Sequence, residues 1–232
     1  MSSDPLSDDI FRMPKRVALA ENVADTIAWA ISVGTLKPDE KLGEARLAEQ
    51  TGVSRLPIRE ALKILHAQGI VTGEQNRGYR VAQFDPKTVA NVLEIRLVLE
   101  SILLRDAIVH WRAAGDLQAV AFEAPLDAMR QAVAKDDRTA SLAADLAFHR
   151  VIAVAARNDI CKTLWEAIAR HTLIIFNRRE YRDDNLSSVV TQHQEFHRFI
   201  CSMIQAPQDE AAIQRGLEDH LLHANRERVQ AS

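Results

Sequence analysis

The pattern of apolar and turn-forming residues changes once along this chain of 232 residues, at Asp85-Pro86. Before that point, short apolar periods are interrupted by Gly and Pro. Beyond it, apolar residues recur at helical spacing to the end of the chain. The change predicts two domains, over residues 12–83 and 86–230, and a mainly α protein. In the second domain, an all-α bundle of about six helices, the predicted helices lie near 86–112, 116–134, 138–156, 160–178, 184–205 and 208–229.

The order of elements in the first domain predicts a winged helix-turn-helix. Helical periodicity over Val17–Val33 is followed by a short predicted helix over Leu42–Gln50. A third helix begins after Ser54, whose hydroxyl is expected to cap its first turn. Two short strands, Ile70–Gly73 and Tyr79–Ala82, then predict a small β-hairpin wing. In this fold the third helix enters the major groove of DNA.

Charge is distributed unevenly, and this matters more than the net charge of −3. Residues 12–80 carry 11 Lys and Arg against 8 Asp and Glu, whereas residues 1–11 carry three Asp and no basic residue. Phosphate binding needs local positive charge, and Arg can also donate two hydrogen bonds to guanine. The third helix and the wing therefore supply the candidate DNA-binding residues, which are Ser54, Arg55, Arg59, Lys63, Arg77 and Gly78. A solvated basic helix beside a structural hairpin is the alternative that charge alone leaves open.

The second domain contains a carboxylate and a histidine, Asp145 and His149, spaced so that a helix places both on one face. His193 and His220 lie on later predicted helices. If the four side chains meet inside the bundle, their N and O donors suit a divalent metal with positions left for water or a ligand. The alternative is an exposed Asp–His pair without metal. Two further histidines lie near these in sequence, His197 and His223.

The run Gly-Val-Ser-Arg-Leu-Pro-Ile-Arg-Glu-Ala-Leu over residues 52–62 resembles the recognition-helix signature of the GntR family of bacterial regulators. Flanking stretches extend this resemblance over about 70 residues, namely 34–42, 47–48, 65–70 and 77–81. Leu56 replaces the usual Thr, and Asp39 replaces the usual Gly. Ala45 stands where some members place an Arg that contacts DNA, with Arg46 beside it.

The second domain resembles the ligand-sensing domain of the FadR-type (FCD) branch over about residues 88–228. Asp145-Leu-Ala-Phe-His149-Arg150, followed by Asn158, resembles its central motif. The resemblance implies that the metal ligands are Asp145, His149, His193 and His220, holding an ion such as zinc or nickel. It also implies that Arg96 contacts a small carboxylate effector, unless it forms a surface pair with Glu100. Arg150 and Asn158 are further effector-binding candidates, although Asn158 could equally cap a helix.

These features predict a ligand-responsive transcriptional regulator that binds a near-palindromic double-stranded DNA operator as a homodimer. Most relatives in the resembled family repress, so repression is expected. A metal-dependent hydrolase using the Asp/His cluster is the alternative, but the sequence shows no accompanying nucleophile motif. A regulator that senses a ligand such as a fatty acyl group without metal also stays open. The acidic N-terminus, two unpatterned cysteines and the lack of an apolar run of roughly 18 residues predict a cytoplasmic protein that does not span a membrane.

Overall fold

The computed structural model describes residues 16–74, 78–115, 120–177, 185–206 and 209–229. The helices within these residues are α1 (Arg16–Ser32), α2 (Glu44–Thr51), α3 (Arg55–Ala67), α4 (Pro86–Ala114), α5 (Val120–Ala134), α6 (Arg138–Ala155), α7 (Asp159–Phe176), α8 (Leu186–Gln205) and α9 (Glu210–Val229). The strands are β1 (Lys41–Leu42), β2 (Val71–Glu74) and β3 (Gly78–Val81). The chain forms two compact units, one holding α1 to β3 and the other α4 to α9. The mainly helical architecture and the winged helix-turn-helix are confirmed.

The helix that the sequence predicts to enter DNA is α3, which buries one face of four apolar residues: Ile58, Ala61, Leu62 and Leu65. These are the residues that helical spacing predicts to point inward. Gly52 adopts a left-handed conformation with φ 71° and ends α2. Ser54 precedes α3 with an extended backbone, but its side chain makes no capping hydrogen bond. The expected cap interaction of Ser54 is therefore wrong, although its position at the helix start is right.

The sheet contains three antiparallel strands in the order β1-β3-β2, whereas the sequence predicted only the two strands of the wing. Leu42 lies in β1 opposite Tyr79, and both side chains are buried. The helix predicted from Leu42 therefore begins two residues later, at Glu44. A strand of two residues is too short to display the alternation by which strands are recognised.

Two backbone positions in the first unit have specific conformational demands. At Gly73, a Cβ would lie 2.2 Å from the carbonyl oxygen of Gly78 on the paired strand, so no larger residue fits without movement. Asp39 has φ 63°, a conformation that favours glycine. Its N–H donates to the carbonyl of Val81 at 2.9 Å, and its own carbonyl accepts from Arg80 at 2.8 Å. These bonds hold a non-glycine residue in the left-handed turn.

Side-chain caps set the starts of the helices in the second unit. Asp85 accepts from the N–H of Thr88 at 2.7 Å, and Pro86 occupies the first helical position of α4, where its missing N–H has no cost. The side chains of Asp137, Asn158 and Asn185 cap α6, α7 and α8 in the same way. The six helices predicted for this domain correspond to α4–α9, and residues 116–119, predicted as helical, lie outside the described residues.

The core of the second unit is continuous across its helices, and α4 packs against α6, α7, α8 and α9. Its largest fully buried side chains are Leu103, Leu104, Ile108, Leu126, Met129, Phe148 and Trp165. Charged and imidazole side chains from α4, α6 and α8 are buried beside this apolar core. None of the described helices is long and apolar enough to cross a membrane.

Candidate functional site

The outer face of α3 carries the predicted basic residues Arg55, Arg59 and Lys63. Arg59 donates from Nε to Glu44 Oε1 at 3.0 Å and from Nη2 to Oε2 at 2.8 Å, so α2 orients its guanidinium. Lys63 Nζ lies 3.0 Å from Glu60 Oε1. The hydrogen bond from Arg59 holds the pKa of Glu44 below its ordinary value. Exposed pairs of this kind contribute about 0–1 kcal/mol, so another anionic partner can readily replace the carboxylate.

Other predicted DNA-binding positions surround α3. Ser54 is exposed immediately before the helix, and Leu56 presents an exposed apolar side chain beside Arg55. Gly78 begins β3 with φ 88°. Arg77 lies outside the described residues. The structure thus places Ser54, Arg55, Arg59 and Lys63 along the start and outer face of one helix.

Two basic side chains of the sheet were missed by sequence reasoning. Lys41 and Arg80 stand directly opposite each other on β1 and β3, and both are exposed. Opposed residues of paired strands share one face, so the sheet carries two positive charges together. Arg46, by contrast, is held by Glu40 at 2.6 Å, while Ala45 is exposed beside it. Recognising the basic sheet face required β1, which the sequence pattern does not reveal.

Three imidazoles from three different helices converge inside the second unit. His149 of α6, His193 of α8 and His220 of α9 offer nitrogen atoms that all lie within 4.8 Å of one another. The Nε2 atoms of His149 and His220 are 3.3 Å apart. His149 and His193 are buried. Helical packing therefore brings together the three predicted histidine ligands.

Asp145 joins this cluster from α6, one turn before His149. Its Oδ1 lies 2.8 Å from Nε2 of His193 and 3.9 Å from Nε2 of His149. His193 Nδ1 donates to the carbonyl of Val189 at 2.8 Å, so in the neutral form of this ring the lone pair lies on Nε2. That Nε2 is buried and has no well-formed hydrogen bond within the described residues, despite the nearby carboxylate. The three imidazoles thus form the group that could hold an ion, with the carboxylate of Asp145 beside two of them. Nitrogen and oxygen donors of this kind suit a divalent ion.

A buried charge network lies behind the imidazoles. Arg96 Nε donates to Glu100 Oε1 at 2.7 Å, and Arg96 Nη2 lies 3.8 Å from Asp145 Oδ2. Glu100 Oε2 lies 2.7 Å from His149 Nδ1, while Trp165 Nε1 donates to Oε1 at 2.9 Å. The Arg96–Glu100 pair considered from the sequence is thus present, but it is buried and not at the surface. Sequence reasoning missed the contact of Glu100 with His149 and the part played by Trp165.

Electrostatics keeps the carboxylates of this network ionised and favours the neutral form of His220. Burial opposes ionisation of Glu100, but Arg96 and His149 outweigh it and hold the pKa of Glu100 well below its usual range. Burial likewise opposes ionisation of Asp145, but His193 and Arg96 lower its pKa. Burial, together with the nearby His193, His149 and Arg96, lowers the pKa of His220 well below the ordinary value of a histidine. Anionic oxygens and neutral imidazoles are the forms that bind metal.

Aromatic rings and a groove border the cluster. Phe196 stacks on His220 with a centroid distance of 4.1 Å, and Phe148 meets His193 edge to face at 5.0 Å. A groove of about 450 Å³ between α8 and α9 reaches His220 from the surface. The groove is lined by Gln192, Glu195, Phe196, Phe199, Gly216, Asp219 and His220. It offers a route from solvent to one of the imidazoles.

The remaining candidates lie apart from the converging atoms. Arg150 is exposed, with its guanidinium carbon 5.9 Å from the ring centroid of Trp165. Asn158 caps α7 by accepting from Cys161 N–H at 3.1 Å and donates to Asp106 at 3.0 Å. His197 is half-buried 5.0 Å from the ring of Phe122. The side chain of His223 lies outside the described residues.

The comparison with known proteins identifies both halves of the chain. Residues 19–81 match the family described as bacterial regulatory proteins, gntR family, and residues 91–223 match the FCD domain. The chain belongs to the GntR family. It is a DNA-binding transcriptional regulator with a C-terminal FCD domain. Members named among its relatives are regulators and not enzymes, which counts against the hydrolase alternative.

Individual relatives of this GntR regulator match most of its length. An HTH-type regulator of Bacillus subtilis, YdhC, is 26% identical and the match covers 93% of this chain and 96% of that protein. A probable D-xylose utilization operon transcriptional repressor of Paenarthrobacter nicotinovorans is 31% identical, covering 69% of each chain. The solved structure of Escherichia coli McbR/YncC superposes with a TM-score of 0.73 at 20% identity, covering 92% of this chain and 98% of that chain. That structural likeness supports the fold.

Proposed function

We propose that this GntR-family regulator is a ligand-responsive repressor whose helical domain binds a divalent metal ion and a small carboxylate effector. The observation that carries the proposal is the convergence of three imidazole nitrogens from α6, α8 and α9 within 4.8 Å. Such groups are costly to bury together unless they are neutral or share a ligand. Repression is proposed because a relative of 31% identity is named as a repressor.

The proposed metal ligands are Asp145, His149, His193 and His220. One carboxylate oxygen and three imidazole nitrogens suit zinc or nickel, which share these donor types. His193 donates its Nδ1 proton to a backbone carbonyl, so Nε2 is the nitrogen that would bind an ion. A regulator that senses its ligand without metal would not need this arrangement.

The proposed effector is a small carboxylate that contacts the ion and Arg96. Arg96 is buried, and its Nη2 has no hydrogen-bond partner among the described residues. A guanidinium nitrogen in this state has donor capacity to offer a carboxylate. Arg150 and Asn158 stay secondary effector candidates. Binding would alter DNA affinity only if the effector prefers one of the DNA-competent and DNA-incompetent arrangements.

The proposed DNA contacts are Ser54, Arg55, Arg59 and Lys63 on the α3 side, with Arg77 and Gly78 on the wing. One helix-turn-helix reads one half-site, and a two-fold dimer reads two half-sites of a near-palindromic operator. We therefore propose a homodimer, with α3 of each copy in the major groove.

The surface formed by α4 and α7 supports this homodimer. Ile95 and Val98 of α4 and Ile160 and Leu164 of α7 are exposed, with Ile160 79% exposed. α4 packs against α7, and Cys161 Sγ lies 3.5 Å from the carbonyl of Leu99 where the two helices meet. We infer that the exposed residues beside this contact form one apolar face. Exposed apolar clusters of this kind mark interaction surfaces.

The charges on α4 fit a second copy of the same face. Glu94 precedes the apolar residues of α4 in sequence and is exposed, and Arg105 follows them with 40% of its side chain exposed. In a two-fold pair of antiparallel α4 helices, Glu94 of one copy faces Arg105 of the other.

Val98→Glu should convert the protein to a monomer in sedimentation experiments, while Ala128→Glu, on the exposed side of α5, should not. Equal dimerisation of both variants would refute this surface.

Ligand screening tests the functional proposal as a whole. Small carboxylates are screened by thermal shift against ion-loaded and chelator-treated full-length protein. Operator affinity is then measured on a duplex selected from a random library by the wild-type protein. We expect a carboxylate that raises the melting temperature only of ion-loaded protein and weakens operator binding by about 5- to 150-fold. Carboxylates that act equally with and without the ion would contradict the proposed site.

A further inference from the structure

We infer that Glu100 is a positioning residue that sets the tautomer of His149 and thereby presents Nε2 of that ring to the ion. The inference rests on the proposed metal site, since it assigns a role to a residue behind one of its ligands. His149 has two nitrogens, and only the one without a proton can bind a metal. The nitrogen that keeps the proton is therefore decided by what faces Nδ1.

The two oxygens of Glu100 have different partners. Oε1 accepts from Arg96 Nε at 2.7 Å and from Trp165 Nε1 at 2.9 Å. Oε2 lies 2.7 Å from His149 Nδ1. This last contact is short but is not a well-formed hydrogen bond, and neither atom has another partner among the described residues. Oε2 is thus left for the imidazole, and poorly aligned hydrogen bonds of an empty site often tighten only when the site is filled.

The surroundings prevent Glu100 from exchanging these roles. Arg96 Nε and Trp165 Nε1 can only donate hydrogen bonds, so Oε1 of Glu100, which both of them contact, must be an acceptor. The carboxylate is buried, as are Arg96 and Trp165. A carboxylate offers only acceptors, so the proton shared with His149 must come from Nδ1. That assignment leaves the lone pair of His149 on Nε2, which is the nitrogen 3.3 Å from Nε2 of His220.

Glu100→Gln separates positioning from packing because it keeps the shape of the side chain. Arg96 and Trp165 would bind the amide oxygen of the new side chain, and its NH₂ group would face His149. That NH₂ donates, so Nδ1 of His149 would become the acceptor and the proton would move to Nε2. The variant would therefore block the metal-binding nitrogen while preserving volume. Trp165→Phe is the matched control, because it removes one donor to Oε1 but leaves the carboxylate facing His149.

The test measures the tautomer directly in full-length, ¹⁵N-labelled, chelator-treated protein. Two-bond ¹H–¹⁵N correlation spectra distinguish the two histidine tautomers, and the spectrum of a His149→Gln variant assigns the His149 signals. We expect the proton on Nδ1 of His149 in the wild type and in Trp165→Phe, and on Nε2 in Glu100→Gln. The wild-type spectrum tests the inference even if a variant fails to fold. A proton on Nε2 of His149 in the wild type would overturn the inference.

Zinc affinity, measured by chelator competition on the same samples, provides the second readout. Glu100→Gln should bind zinc about 10- to 100-fold more weakly than the wild type, and Trp165→Phe should lose less. Unchanged affinity and an unchanged tautomer in Glu100→Gln would overturn the inference. A wild-type protein that binds neither zinc nor nickel would contradict the proposed metal site. The tautomer of His149 would still show whether Glu100 positions the proton on Nδ1.

Discussion

The charged side chains of α3 lie at the surface, whereas those around His149 lie inside the bundle of α4–α9. Arg59 and Glu44 keep 46% and 25% of their side-chain surface exposed, but Arg96 and Glu100 keep only 7% and 4%. An exposed pair contributes about 0–1 kcal/mol and is readily exchanged, while a buried charge that loses its partner costs several times more. The contrast indicates that the charged side chains of the proposed DNA-binding surface can exchange partners and that those of the buried cluster must keep theirs.

The largest expected effect comes from breaking the buried pair. Arg96→Met leaves Glu100 buried without its guanidinium and should lower the free energy of unfolding by about 3–5 kcal/mol, measured by urea denaturation at neutral pH. Arg46→Met removes an exposed pair with Glu40 and should cost less than about 1 kcal/mol. Similar losses in the two variants would contradict the contrast.

That loss should also depend on pH in a defined direction. Arg96 and His149 hold the pKa of Glu100 below the ordinary value of 4.5 despite its burial. The stability that this shift contributes is present above the ordinary pKa and is lost as the pH falls towards the lowered one. The difference between wild type and Arg96→Met should therefore shrink in acid; a difference that grows there would contradict the assignment.

The next effect concerns metal affinity and pH. Liganding imidazoles must be neutral, so protons compete with the ion as the pH falls through the histidine range near about 6.5. Affinity should fall by about tenfold per pH unit for each imidazole that is protonated in the metal-free site. Because burial lowers the pKa of His220, that residue should join the competition only at the acid end. Chelator competition between about pH 8 and 5 checks this, and a flat profile would count against a three-histidine site.

A smaller effect is expected at the recognition helix. Arg59→Ala should weaken binding to the selected operator by about 1–3 kcal/mol, because one bidentate contact to a base or phosphate is lost. Fluorescence anisotropy measures the affinity, and circular dichroism confirms the fold. Arg130→Ala is the control, since Arg130 is similarly exposed, at 43%, but lies on α5. If both variants bind the operator equally well, α3 does not read DNA through Arg59.

The smallest effect should follow Glu44→Gln, which frees Arg59 from its carboxylate partner. Affinity for random duplex should rise, because a negative charge near the phosphates is lost, while preference for the operator should fall because the guanidinium is less well oriented. Both changes should stay within about 1 kcal/mol. Glu49→Gln makes the same charge change elsewhere on α2. Identical behaviour of the two variants would show that the pair with Arg59 has no role in recognition.

The sequence predicts the long helices well, because each of them repeats apolar residues over several turns and most begin at an Asp or Asn cap. It misses β1, whose two residues carry no periodicity. Spacing alone places Asp145 and His149 on one face of a helix. It does not say which later helices pack against that face, so the choice of His193 and His220 over His197 and His223 rested on the family resemblance.

The network behind His149 could not be read from the sequence for the same reason. Glu100 and Trp165 are separated by 65 positions, and their hydrogen bond depends on how α7 packs along α4. The i, i+4 spacing of Arg96 and Glu100 is visible in the sequence, but their burial is not. Whether a salt bridge is exchangeable or fixed is thus decided by tertiary packing.

Metal content tests the central claim most directly. Full-length protein is stripped with chelator, incubated with zinc or nickel, desalted and analysed by elemental spectrometry beside His193→Ala. The account predicts about one ion per chain in the wild type and a clear loss in the variant, as expected for a site whose ligands come from several helices. A wild type that retains neither ion, or a variant that retains as much as the wild type, would contradict it.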